Sequence, residues 1–238
     1  MKHIVSYSGG KDSTAMLLKM IDNKMQIDDI IYCEVMATST LGGEYPEMYE
    51  YLEKVDNYLL KTINKKITRI KTYINFEEQF YTKKKRGKHI GEIYGFPFTC
   101  GSWCNDRLKV KALRKYEKSL GEEYMSYIGI ASDEPKRLAR LKKNQRAPLA
   151  EWGMTELDCL EYTKAKGLYN PLYDKFDRLG CWFCVKQNLR DLKILRKDYQ
   201  YLWNMLLKWL MDSKTKFRPN YTVQELEAKF KKEDKAKN

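Results

Sequence analysis

No stretch of this 238-residue chain approaches the roughly eighteen uninterrupted apolar residues of a membrane-spanning helix. The N-terminus has no signal-peptide core either, so a soluble, cytoplasmic protein with no membrane partner is expected. Its 6 cysteines come without secretory context, which disfavours a disulfide framework and favours metal or redox roles. None of them follows Cys184. There is no internal repeat and no low-complexity linker, so no second independent domain is expected. A Walker A loop is also missing, because no glycine stands at the required distance before a Gly-Lys-Ser/Thr triplet.

What the chain does have is Ser8-Gly9-Gly10-Lys11-Asp12-Ser13, placed straight after the apolar pair Ile4-Val5. A strand that breaks into two glycines and reopens as a helix is suited to phosphate. The glycines let backbone approach an anion, the helix start offers unpaired N–H groups, and Lys11 adds a full charge. Ser8 to Ser13 are therefore the expected nucleotide-binding residues, with Lys11 and Asp12 as catalytic candidates.

Acidic residues are in the minority, 32 against 45 Lys and Arg, for a net charge of +13. Much of the excess is concentrated in Lys83-Lys84-Lys85-Arg86-Gly87-Lys88 and in Lys136, Arg137, Arg140, Lys142, Lys143 and Arg146. Such clusters track a phosphate backbone, and 18 tyrosines and 5 tryptophans offer stacking surfaces. A plain solvated basic face accounts equally well for the charge.

Strands and helices alternate. Strands are expected over 2–7, 30–35, 67–74 and 124–130, and helices over 14–22, 47–64 and 107–118. This order predicts an α/β fold, a parallel twisted sheet with helices on both faces and ligands at the carboxyl ends of strands. Thr155 and Asp158 form a capping-box pattern for a helix ending near Gly167. Leu189, Leu192, Leu195, Tyr199, Leu202, Leu206 and Trp209 mark one apolar helical stripe, read as packing. A C-terminal helical extension over 196–238 is expected to follow a domain over 1–195, its basic tail frayed.

Cys100 and Cys104 form a C-x3-C pair, and Cys181 and Cys184 a C-x2-C pair. Four thiolates in two close pairs suit a [4Fe–4S] cluster or, alternatively, Zn²⁺; unligated or redox-reactive thiols remain a third reading. Cys33 and Cys159 read as small buried hydrophobes.

The loop Ser8 to Ser13 resembles the PP-loop of the adenine nucleotide α-hydrolase superfamily. Cys104-Asn-Asp-Arg-Leu-Lys109, Gly129-Ile-Ala-Ser-Asp133-Glu134, Pro148-Leu-Ala-Glu-Trp152 and Tyr169-Asn-Pro-Leu-Tyr173-Asp174, running into Gly180-Cys-Trp-Phe-Cys184, extend the resemblance. Together, over about residues 3–195, they look like the phosphoadenosine phosphosulfate (PAPS) reductase family. Iron–sulfur members of that family carry an adjacent cysteine pair before the C-x2-C. Here Cys104 fits its second position, Trp103 holds the first, and Cys100 is the nearby replacement. Reductases of the family also finish in a Glu-Cys-Gly segment whose thiolate attacks sulfur, and this chain shows none. Ala131 stands where the family's usual arginine would be, with Arg137 and Arg140 as stand-ins.

The resemblance implies binding of an adenine nucleotide, ATP or APS/PAPS, with Mg²⁺. The favoured activity cleaves ATP between its α- and β-phosphates and adenylates a substrate for sulfur transfer to tRNA or DNA, the sulfur donor being unnamed. Lys109 or Arg107 would contact the α-phosphate. The alternatives are an APS/PAPS reductase that releases sulfite with an external thiol, and a nucleotide-binding regulatory protein without turnover. A homodimer is allowed for.

Overall fold

In the computed structural model, residues 1–98, 102–214, 217–218 and 221–235 are described. Among the described residues, five strands and eleven helices follow in chain order. These are β1 (Lys2–Tyr7), α1 (Lys11–Asp22), β2 (Asp29–Cys33), α2 (Pro46–Ile63), β3 (Ile67–Ile70), α3 (Phe76–Tyr81) and α4 (Trp103–Asn105). A π-turn over Asp106–Val110 leads into α5 (Lys111–Ser119), followed by β4 (Tyr124–Ile128), α6 (Pro135–Leu138), β5 (Gln145–Arg146), α7 (Pro148–Glu151) and α8 (Glu156–Ala165). After a 3₁₀ turn at Pro171–Asp174 come α9 (Leu189–Asp198), α10 (Gln200–Asp212) and α11 (Val223–Lys235).

The chain divides into two compact units. The first comprises Met1–Glu34, Tyr45–Lys71 and Ala112–Leu179. It holds a wholly parallel sheet of order β3-β2-β1-β4-β5 with helices around it, the α/β architecture expected from the alternation. Ile4 of β1 is in register with Asp29 of β2 and with Ser126 of β4. Central β1 buries Ile4, Val5 and Tyr7, and β2 buries Ile30, Ile31 and Tyr32, as strands covered on both faces must. Because the order reverses between β1 and β4, the crevice at their carboxyl ends is the topological switch point where such sheets take ligands.

A buried hydrogen-bond chain ties this crevice to the core. Tyr51 on α2 donates to the Leu168 carbonyl at 2.9 Å. Its oxygen lies 3.0 Å from the Thr14 hydroxyl, which in turn lies 3.0 Å from Tyr7. A carbonyl only accepts, so the direction follows: Tyr7 donates to Thr14, Thr14 to Tyr51, and Tyr51 to Leu168. Burial, with Tyr51 beside it, pushes the Tyr7 phenol far above its usual value, so the chain stays protonated.

The second unit comprises Val35–Glu44, Thr72–Lys111 and Gly180–Asn238. Its core is aromatic. Phe76 packs against Phe80, Phe96, Trp103, Phe183 and Trp209, and Trp182 stacks on Trp209 at 5.3 Å.

Several boundaries differ from the sequence reading. Helix α1 begins at Lys11, not 14, since the glycines end the strand and the helix opens at once. Strands β2 and β3 stop at Cys33 and Ile70, where their neighbours stop pairing. The stripe from Leu189 to Trp209 is buried from Leu192 onward, but it belongs to two helices that break at Tyr199 (φ −130°, ψ 57°). The capping box at Thr155 and Asp158 is present, and the chain turns at Gly167 with φ +69°.

Replacing Tyr51 with Phe leaves the buried Leu168 carbonyl without its donor. Such a loss costs about 1–3 kcal/mol. Urea unfolding of Tyr51→Phe is expected to show that decrease, with the slope m unchanged.

Candidate functional site

The six loop residues predicted to bind nucleotide sit together at the switch point. Gly9 takes φ +73°, and a Cβ there would come within 2.6 Å of Met48 Sδ on α2. The positive φ is what favours glycine here, and a side chain would in addition have to displace the end of Met48. Gly10 caps α1, and Thr14 N–H closes the first turn onto the Gly10 carbonyl at 3.0 Å. Ser13, buried, donates its hydroxyl to Gly10 O at 3.1 Å and accepts from Ser8 N–H at 3.2 Å. These bonds fold the loop on itself and leave first-turn N–H groups of α1 for an anion, where the helix dipole favours negative charge.

Lys11 projects into a set of carboxylates. Its ammonium lies 3.0 Å from Asp12 and 2.5 Å from Glu156, the first residue of α8. Burial alone would favour the neutral amine, but the hydrogen bonds to Glu156 and Asp12 win and keep Lys11 charged well above its usual range. Asp12 experiences the opposite sum. Burial raises its carboxyl, Lys11 lowers it, and Glu156 and Glu134 raise it again, for a net upward shift. One cation therefore faces two carboxylates in direct contact.

Four further groups hold this arrangement, and only their motifs were visible in the sequence. Tyr173 accepts from the Lys11 N–H at 3.0 Å, and Asn170 donates to the Gly9 carbonyl at 2.9 Å. Both lie in the Tyr169-to-Asp174 motif, so a motif signal existed while their contacts did not show. Gly129 ends β4 so close to α1 that a Cβ would lie 2.8 Å from both Ser13 N and Ser13 Cα. Asp133 accepts from the Glu156 N–H at 3.2 Å, which sets the start of α8. Glu156 lies between the capping-box residues Thr155 and Asp158 and carries no sequence signal of its own. No local pattern marks a residue that reaches Lys11 from 145 positions away.

The arginine stand-ins are differently placed. Arg137 is clamped by both oxygens of Glu134 at 2.6 and 2.7 Å, and Arg140 is exposed.

Cys104, Cys181 and Cys184 belong to the second unit. Cys181 and Cys184 occupy a tight turn in which Cys184 N–H bonds Cys181 O at 2.9 Å. The Gln187 amide donates to Cys181 O at 2.9 Å and to Trp182 O at 2.7 Å, while Trp182 Nε1–H bonds Gly42 O at 3.0 Å. Cys104, at the start of the helical segment over 103–119, is close enough to Cys184 and Cys181 for their charges to interact. Burial pushes the Cys104 thiol up, with Cys184 next. Burial and then Glu44 push Cys181 up much further, while Lys109 pulls it down. Lys109 thus stands beside the cysteines. Arg107 is engaged elsewhere, with Gln79 at 2.6 Å and Tyr94 OH at 2.9 Å. Cys100 lies outside the described residues, and among the described residues no three His, Cys, Asp or Glu side chains are arranged to hold a metal ion. Cys33 is on β2, and Cys159 is fully buried in α8, its thiol raised to about 12 by burial and by Asp12.

The phosphoadenosine phosphosulfate reductase domain matches residues 2–187. The chain is 27% identical over 218 residues to the uncharacterized protein MJ0066 of Methanocaldococcus jannaschii, covering 87% of this chain and 40% of that protein. It is 26% identical over 224 residues to the uncharacterized nin region protein ORF290 of Escherichia phage lambda, covering 85% and 72% respectively. A second M. jannaschii protein, MJ0973, also uncharacterized, is 27% identical over 216 residues, 86% of this chain and 46% of that one. The chain spans less than half the length of the two M. jannaschii relatives.

Overpacking at a backbone contact costs about 1–3 kcal/mol. Gly129→Ala is expected to lower unfolding free energy by that amount in a denaturant titration. The control Gly180→Ala, whose Cβ meets nothing within 4 Å, should stay within about 0.5 kcal/mol of wild type.

Proposed function

The chain belongs to the phosphoadenosine phosphosulfate reductase domain family, and from that premise we propose that it is a PP-loop enzyme cleaving ATP between the α- and β-phosphates. An oxygen of the acceptor forms a bond to the α-phosphorus and gives up its proton. The bond from that phosphorus to the bridging oxygen breaks, and pyrophosphate leaves with the electron pair. At the adenylated acceptor, tRNA or DNA in this reading, a nucleophilic sulfur from a donor then forms a bond to the activated centre, and AMP leaves with the acceptor's oxygen and the electron pair.

One observation carries the reading: a single ammonium, Lys11, in contact with the two carboxylates Asp12 and Glu156 at a helix N-terminus. The N–H groups and Lys11 suit a polyphosphate, and charge building on departing pyrophosphate is what a preoriented ammonium stabilises. The surplus carboxylate suits the Mg²⁺ that accompanies ATP, with Asp12 as its contact in the loop. Tyr173, Asn170 and Gly129 fix the loop's backbone before ligand arrives, so little ordering remains for binding to accomplish.

Cys104, Cys181 and Cys184, with Cys100, are the proposed ligands of a [4Fe–4S] cluster or of Zn²⁺. The thiols of Cys104, Cys181 and Cys184 lie in one unit with the cation Lys109 beside them, which fits the accumulation of negative charge that thiolate ligation brings. A bound centre of this kind would hold or activate sulfur for the transfer.

Lys11→Ala is expected to reduce ATP-dependent pyrophosphate release by at least about 100-fold, on the scale of losing one charge-stabilising group. Unchanged release would remove the PP-loop from the mechanism. Sulfite release from APS or PAPS without pyrophosphate release from ATP would replace this activity with reduction by an external thiol. Nucleotide binding with neither product would leave a regulatory protein. Metal analysis of anaerobically purified Cys181→Ser and Cys184→Ser is expected to show loss of bound iron or zinc relative to wild type. Equal metal content in all three proteins would show that the turn does not ligate.

A further inference from the structure

The basic run over 83–88 is not a slack loop. Lys83 pairs antiparallel with Ile93, and Lys84 N–H bonds the Glu92 carbonyl at 2.8 Å, with Gly91 N–H returning to Lys84 O at 3.0 Å. Below them, Tyr94 N–H bonds Thr82 O and Gly95 N–H bonds Phe80 O, both at 3.0 Å. Phe96 then enters the aromatic core. The segment is a hairpin finger rooted in the second unit, its tip turned through Gly87 and Gly91, both at positive φ.

Cations at its end are unneutralised. Lys83, Lys85, Arg86 and Lys88 are exposed, and among the described residues none of them makes an ion pair or hydrogen bond through its side chain. The one acid in the segment, Glu92, is already met by Lys214 and His89, each at 3.3 Å. The segment over 136–146 is answered in part, Arg137 and Arg146 by Glu134 and Glu151, while Lys136, Arg140, Lys142 and Lys143 are exposed there without the backbone pairing that sets the finger. The backbone pairing holds like charges side by side, which is unfavourable until an extended anion lies across them. Beside the charge stand two exposed apolar side chains, Ile90 at the tip (65% exposed) and Phe98 just past the finger's base in sequence (70%). Phe98 offers a face for a base to stack on. Two such residues make too small an apolar face for a membrane-surface element.

We propose that the finger over 82–95 is a docking site for the phosphodiester backbone of a nucleic acid, contacted by Lys83, Lys85, Arg86 and Lys88. This rests on the reading above, in which the sulfur acceptor is nucleic acid, and it names the part of the chain that holds it.

The test uses the full chain and labelled RNA and DNA, each as a single strand of about 16 nucleotides and as a duplex, with binding measured across a salt series. The variant in which all four residues are replaced by Ala is expected to bind at least about ten-fold more weakly at 0.1 M salt. Its slope of log affinity against log salt should be shallower by about 3, as loss of four phosphate contacts requires. Preference for RNA or for DNA identifies the source of the backbone. Unimpaired binding by this variant, with loss instead in Lys136→Ala/Arg140→Ala/Lys142→Ala/Lys143→Ala, would overturn the finger and leave the acceptor reading intact. Wild-type protein that releases pyrophosphate from ATP but binds neither polymer would overturn both the finger and the nucleic-acid acceptor, while ATP cleavage stands. Binding to anionic phospholipid vesicles alone would likewise overturn the finger's assignment. Limited trypsin digestion of wild-type protein, with and without RNA or DNA, checks the result without a variant. Protection at Lys85 to Lys88 is expected, and unchanged cleavage there in the presence of saturating polymer would contradict it.

Discussion

The site depends on one constraint: a loop that offers its N–H groups to an anion must be held by something other than those groups. In this protein the holding is done from below and from the side. The chain from Tyr7 through Thr14 and Tyr51 to the Leu168 carbonyl joins β1, α1, α2 and the segment after α8 by hydroxyls alone. It pins α1 one residue past Ser13 without using the first-turn donors. Gly9 on Met48 and Gly129 on Ser13 then bring backbone against side chain and backbone against backbone at distances no Cβ would allow. Tyr173 on the Lys11 N–H and Asn170 on the Gly9 carbonyl complete the support from the segment after α8.

The same economy governs charge. An uncompensated ammonium in a half-buried crevice is costly, and Glu156 and Asp12 offset that cost in the unliganded protein. Under the proposed function, an incoming polyphosphate would exchange partners with them instead of filling an empty positive pocket. Lys11 keeps its charge in either arrangement, since the carboxylates and a phosphate both favour the ammonium. Relief of the carboxylates left behind is most direct if the anion arrives with its own divalent cation. This separates a nucleotide that travels as a magnesium complex from a simple anion of equal charge.

How much of this was legible follows the range of the interactions. The PP-loop, strand β1 and helix α2 announced themselves because their signals are local: a glycine pair after an apolar run, a proline start, apolar residues at helical spacing. The parallel sheet followed from their alternation. Strand β5 was invisible because it is two residues, Gln145 and Arg146, ordered only by pairing with Ser126 and Tyr127 of β4. The break at Tyr199 was hidden by an apolar period that continues in phase through it, and periodicity records which side faces the core, not whether the helix is continuous. Glu156 was illegible for a stricter reason. Its partner is distant in sequence, and a glutamate after a capping threonine looks the same whether it meets solvent or Lys11.

Net charge illustrates the same limit from the other side. The value of +13 says that the chain repels itself and attracts polyanions, but it does not say where. Many basic side chains are spoken for locally: Arg196 by Glu227 and Asp234, Lys193 by Glu233, Lys166 by Asp22. Exposed pairs of this kind contribute little to stability, yet each cancels charge where it stands. The charge felt by a partner is what survives this cancellation. In the finger between Thr82 and Gly95, backbone pairing, not ion pairing, sets the positions of such cations. Of the two basic clusters, the one over 136–146 has Arg137 and Arg146 drawn onto neighbouring acids, while its other cations, like those of the finger, are exposed.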